Sequence, residues 1–278
     1  MESARAQTAI CRSSSSRLAW SLPIRPANQA RHPSRTRRAH RSFIGTKRRA
    51  GNNPRTARQS RHFPPHPRGQ GLSRFYAGEK ALLGQPGIAV VGSRHLDEAG
   101  KECAAFVGNA CGLSGMILYS GGAKGVDTIS MEAALEARGT AVSVVADGLE
   151  KQVKVQKEAL SRGDLCLVTP YSPNAGFSVG AAMGRNRLIY TLADYAIVVA
   201  SDAETGGTWA GATETLKNNW VPVFVLEHGQ MPEGNKLLLQ KGALAFPHPF
   251  REKPVRLPEW LKEKAASLPA RPTQPGLF

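Results

Sequence analysis

The sequence predicts an α/β protein built on one doubly wound, mostly parallel sheet. Two observations carry this. Short, almost unbroken apolar runs alternate with stretches of helical period, as they do where strands are buried on both faces. Several of the runs also end in glycine-rich turns that lead into a helix, the usual junction of such a sheet.

The elements follow in order. Residues 87–92 (GIAVVG) form a buried strand, and 97–113 a helix with Cys103, Val107, Ala110 and Cys111 on one stripe. Residues 116–120 (MILYS) are a second strand. Val126, Ile129, Ala133 and Ala137 mark the next helix, which ends at Gly139 in the C-terminal glycine position. Residues 140–146 are a third strand, 150–162 a polar helix, and 164–169 a fourth strand. A long connection and a helix near 178–192 lead to a fifth strand at 194–200. A helix at 208–218 and a sixth strand at 221–226 complete the pattern. Right-handed crossovers make this an extended Rossmann-like single domain over 75–246. Residues 247–278 read as a short tail with one amphipathic stretch around Trp260.

The formal net charge of +16 is unevenly placed. Residues 1–70 hold 16 Lys and Arg against one acid, Glu2, leaving 21 basic and 20 acidic residues from 71 onward. The basic excess therefore says nothing about the folded part. Residues 1–70 lack any sustained period and read as a disordered basic extension, with a targeting segment and a phosphate-binding arm as the other readings. The four cysteines show neither CxxC nor zinc spacing, which fits a reducing, cytoplasmic setting. No apolar run approaches the ~18 residues of a membrane span. No nucleophile–base set or metal-ligand cluster is legible, so no cofactor, metal or enzymatic step is expected.

Ligands of such sheets bind beyond the carboxyl ends of the strands. The unusual residues of this chain gather there. They are Gly92, Ser93 and Arg94 after the first strand; Ser120, Gly121, Gly122, Lys124 and Gly125 after the second; and Gly207 and Thr208 after the fifth. Glycine turns expose backbone N–H groups to an anion, and a following helix adds its dipole. Arg94 and Lys124 add charge, so the ligand is expected to carry phosphate. Asp127 lies in the first turn of its helix, as a dipole-favoured acid or as a ligand contact. Arg185, Asn186 and Arg187 bring two cations and an amide together, on faces that differ, so one arginine can bind ligand while the other makes an internal ion pair. The GxxxxGK[ST] and GxGxxG signatures are missing, which disfavours nucleotide hydrolysis and hydride transfer.

The segments 88–94 (IAVVGSR), 119–150 and 184–199 (GRNRLIYTLADYAIVV), with the glycine-threonine turn before VPVFV, resemble the core of the DNA-processing protein A (DprA/Smf) family. The resemblance implies a non-enzymatic protein. By that resemblance it is expected to bind single-stranded DNA, protect incoming strands and assist loading of the RecA recombinase in natural transformation. It further implies a homodimer, and a DNA pocket lined by Arg94, the 120–127 loop and the 185–187 run. Lys124 stands where the family usually has arginine, and Phe177 lies farther ahead of Arg185 than the family's aromatic. A second, weaker resemblance is to the lysine-decarboxylase-like (LOG) fold. It rests on Gly206, Gly207 and Glu214 and implies a nucleoside 5′-monophosphate phosphoribohydrolase. The third reading is a sensor of a small nucleotide.

Overall fold

In the computed structural model the described residues are 44–46, 75–248, 250 and 256–268. The extension expected over 1–70 lies outside them apart from 44–46. Among the described residues the sheet has nine strands: β1 (Ile44–Thr46), β2 (Phe75–Gly78), β3 (Gly87–Val91), β4 (Ile117–Ser120), β5 (Ala141–Val144), β6 (Leu165–Thr169), β7 (Tyr195–Val198), β8 (Val223–Glu227) and β9 (Leu244–Pro247). Their order is β1-β2-β6-β5-β4-β3-β7-β8-β9. From β6 across to β9 every neighbouring pair is parallel, while β2 runs antiparallel to both β1 and β6.

The helices are α1 (Glu98–Ser114), α2 (Val126–Glu136), α3 (Leu149–Val155), α4 (Lys157–Arg162), α5 (Val179–Leu192), α6 (Gly206–Asn218), α7 (Glu233–Gln240) and α8 (Leu257–Ala265). The polar helix expected over 150–162 is two helices, joined at Gln156.

Alternation along each strand builds two cores. In β3, Ile88 and Val90 enter the core under α1, α2 and α8. Ala89 and Val91 enter the other, under α5, α6 and α7. A period of two with both sets apolar is what a sheet covered on both faces requires. On α1, Cys103, Val107, Ala110 and Cys111 are all fully buried, so these cysteines are core residues. Burial pushes both thiols up to about 12, which keeps them protonated and inert. Leu257 and Leu261 of α8 are also fully buried, and Trp260 meets Phe224 and Phe246 at ring-centre distances of 5.7 and 5.5 Å.

The chain runs outward from β3 through β4 and β5 to β6. Helix α5 then carries it back to β7, on the far side of β3. This reversal between β3 and β7 is the topological switch point, where the connecting segments part and leave a crevice at the strands' carboxyl ends.

Candidate nucleic-acid interface

A cleft of about 340 Å³ opens at that switch point. Three turns reach its rim: 92–95 after β3, 121–125 after β4 and 202–208 after β7. The first helical turns of α5 close the fourth side. Each turn is held differently, and the differences decide which can take a ligand.

The 92–95 turn is anchored by the Ser93 N–H donating to Ala200 O at 2.8 Å, while the Ser93 hydroxyl accepts from the His95 N–H. These bonds fix the backbone and leave the Arg94 side chain exposed at the cleft. Gly92 lets the turn press on Val126, the first residue of α2. Gly125, at φ +88, lies against Ser93 and Arg94; a Cβ there would stand 2.7 Å from Ser93 O and 2.8 Å from Arg94 Cα. The first two turns are thus in contact, and Lys124 projects exposed from the second.

The 121–125 loop is closed on itself. Gly122 takes φ +69, a left-handed value that favours glycine, and the N–H groups on either side of it point inward. Both meet Asp127, whose Oδ2 accepts from Gly121 at 3.1 Å and from Ala123 at 3.2 Å. The Ser120 hydroxyl donates to Val90 O at 2.8 Å and is buried. Thr128 ties the loop down by donating through its hydroxyl to Ala123 O at 2.7 Å.

Arg185 lies beneath the same loop. Its side chain projects inward from α5, donates to Val144 O at 2.6 Å and is buried with only 6% exposure. The guanidinium occupies the space where a side chain on residue 121 would begin, so any Cβ there would displace it. Burial lowers the arginine's pKa, and the charge of Asp127 opposes that. Burial likewise raises that of Asp127, against Arg185 and the loop N–H groups. Among the described residues Arg185 Nε has no hydrogen-bond partner.

The 202–208 turn is open. Thr205 is extended at the N-cap of α6, yet its side chain makes no capping bond, and the first turn of the helix carries no acid. Among the described residues the N–H groups of Gly207 and Thr208 make no hydrogen bond. The Asn186 amide fits against Gly207, where a Cβ would stand 2.6 Å from Nδ2. Asn235, fully buried on α7, holds the turn from behind. It accepts from the Ser201 N–H at 2.8 Å and donates to Val199 O and Leu226 O, both at 3.0 Å.

The structure therefore brings Gly92, Ser93, Arg94, Asp127, Arg185, Asn186, Gly207 and Thr208 to one cleft, with the 120–125 loop beside it. Arg187 is elsewhere. It pairs with Glu214 across the α5–α6 seam and lies over the Trp220 ring, 5.6 Å from its centre. Of the two arginines, 187 makes the internal ion pair. Glu214, the acid that a phosphoribohydrolase would need, is held in that pair and does not line the cleft.

Sequence reasoning missed one wall. Phe177, Val179 and Met183 are exposed by 58%, 69% and 47% and line the cleft together with Ala182 and Ile189. Their signal was an aromatic in a glycine- and serine-flanked loop, NAGFSVG, immediately before the Ser178 cap of α5. Among the described residues no group of three or more His, Cys, Asp or Glu side chains could hold a metal, and no helix is long and apolar enough to cross a membrane.

The model of the family described as DNA recombination-mediator protein A matches residues 64–250. The DNA processing protein DprA of Streptococcus pneumoniae is 30% identical over 177 residues, 61% of each chain. A Mycobacterium tuberculosis protein described as a DNA processing protein DprA is 30% identical over 131 residues, 45% of this chain and 34% of that one. The chain thus spans 61% and 34% of the length of these two curated relatives. Among solved structures, DNA processing protein A of Helicobacter pylori, studied for its mode of binding single-stranded DNA, superposes with a TM-score of 0.62 at 22% identity. That match covers 80% of this chain and 97% of that one. The pneumococcal structure superposes with a TM-score of 0.55 at 24% identity, covering 70% and 75%.

Proposed function

This chain belongs to the DNA recombination-mediator protein A family, and from that premise we propose that its cleft seats the sugar–phosphate backbone of single-stranded DNA. The observation that carries the reading is convergence. An exposed arginine, an uncapped helix N-terminus and an apolar wall meet at one switch-point cleft. Arg94 can grip a phosphate through two parallel hydrogen bonds, worth about 1.5–3 kcal/mol in a charge-assisted contact. The N–H groups of Gly207 and Thr208, backed by the α6 dipole, offer a second seat. The Phe177 ring provides a face for a base, and such stacking is worth roughly 1–3 kcal/mol per base whatever its identity. Backbone contacts with stacking bind a strand without reading its sequence.

The cleft does this by binding alone. In this reading the protein holds incoming single strands in the cytoplasm and passes them to RecA, acting as a homodimer. Support for the last three points comes from family resemblance rather than from the cleft.

The test is a titration of the full chain with oligothymidylates of increasing length and with mononucleotides, at several salt concentrations. Affinity should rise with length, fall steeply with salt and drop in Arg94→Ala. Preferential binding of a mononucleotide, or a length series unaffected by Arg94→Ala, would overturn the reading.

A further inference from the structure

We propose that Asp127 is a specificity-determining residue: its carboxylate fills the anion seat of the 121–125 loop from within, confining the strand's phosphates to the 92–95 and 205–208 turns. The inference rests on the reading of the cleft as a nucleic-acid seat.

Successive backbone N–H groups around a left-handed residue form a concave nest for an anion. The 121–125 loop has that form, with Gly122 at φ +69 between two inward N–H groups. In a phosphate-binding loop those groups would face the ligand. Here both are spent on one carboxylate oxygen, and Asp127 is only 6% exposed. Of the two cations at the loop, Lys124 is exposed and the other is internal. Arg185 lies beneath Gly121, buried and bonded to Val144 O, where its charge serves Asp127. An incoming phosphate would have to displace a carboxylate that the fold holds in place, or sit beside it against like-charge repulsion.

No carboxylate occupies the N–H groups at α6, whose first turn has no acid and whose cap makes no side-chain bond; Asp202 lines the cleft ahead of it without bonding to them. Asp127 thus acts through the loop, as a built-in occupant. It leaves the chain a glycine-rich turn after β4 that does not accept the free phosphates of a nucleoside polyphosphate.

The deciding experiment uses backbone amide resonances of the full chain during titration with an oligothymidylate. The amides of Ser93, Gly207 and Thr208 should shift while those of Gly121 and Ala123 stay in place. Comparable shifts at Gly121 and Ala123 would overturn the inference and leave the cleft reading standing. If no rim amide shifts, the cleft reading fails and takes the inference with it. A variant supplies the converse. Asp127→Ala empties the nest and should bind inorganic phosphate at least tenfold more tightly than the unaltered chain. Asp127→Asn, which keeps an acceptor oxygen, should gain less. No gain in a folded Asp127→Ala overturns the proposal; if neither variant folds, the amide titration of the unaltered chain decides.

Discussion

The turns at 121–125 and 205–208 stand at the same rim of the same sheet, both rich in glycine and both leading into a helix, yet they reach opposite states. In the first, the helix that follows supplies its own anion: Asp127, one residue into α2, turns back onto the loop N–H groups. In the second, the first turn of α6 holds no acid and its N–H groups stay open. Glycine grants access to the backbone in both. Whether that access remains depends on one residue a single helical turn downstream.

The comparison can be broken by substitution. The largest effect is expected from Gly121→Ala, whose new methyl would fall on the buried Arg185 guanidinium. Displacing that charge from Val144 O should cost about 3 kcal/mol of stability. For a domain of this size that is a fall in Tm of roughly 6–12 °C, read by thermal unfolding. Next comes Arg94→Ala, which should weaken single-strand binding by roughly tenfold or more and lower the salt slope by about one, with Tm unchanged. Gly207→Ala should act oppositely to Gly121→Ala. Alanine suits a helix better than glycine does, so stability holds, while the methyl crowds Asn186 and the open N–H groups. A loss of about 1 kcal/mol in binding, near fivefold, is expected from an anion seat at a helix end. The smallest effect belongs to Lys124→Ala. Its exposed ammonium contributes screened, long-range attraction, so affinity should fall about twofold and less at high salt. If a folded Gly121→Ala lost binding while Gly207→Ala kept it, the two turns would have to exchange roles.

Much of this was legible in the sequence because strands buried on both faces leave continuous apolar runs and their turns leave glycines. All six strands expected between 87 and 226 are present, and so is the gathering of Arg94, Asn186, Gly207 and Thr208 at one rim. The elements it missed between 75 and 250 are β2, β9 and α7. β9 (LAFP) is short, and β2 (FYAG) is an antiparallel strand with only one buried residue. Helix α8 was legible as the amphipathic stretch around Trp260, with Leu257 and Leu261 completing its apolar face. The Phe177 wall was hard to place because a loop residue's position depends on where its flanking helix docks.

What the sequence determined by itself is the layered sheet and the rim where its glycine turns gather, since periodicity and turn composition are local properties that chain order converts into topology. Only the tertiary structure decided the assignment of charges. Arg185 and Arg187 are two residues apart on one helix, so packing sends the first under the loop and the second to Glu214 and Trp220. Asp127 accepts from the loop because the left-handed turn at Gly122 aims two N–H groups at it. Such outcomes depend on distances of about 3 Å between groups brought together by folding, the range over which a hydrogen bond either forms or does not.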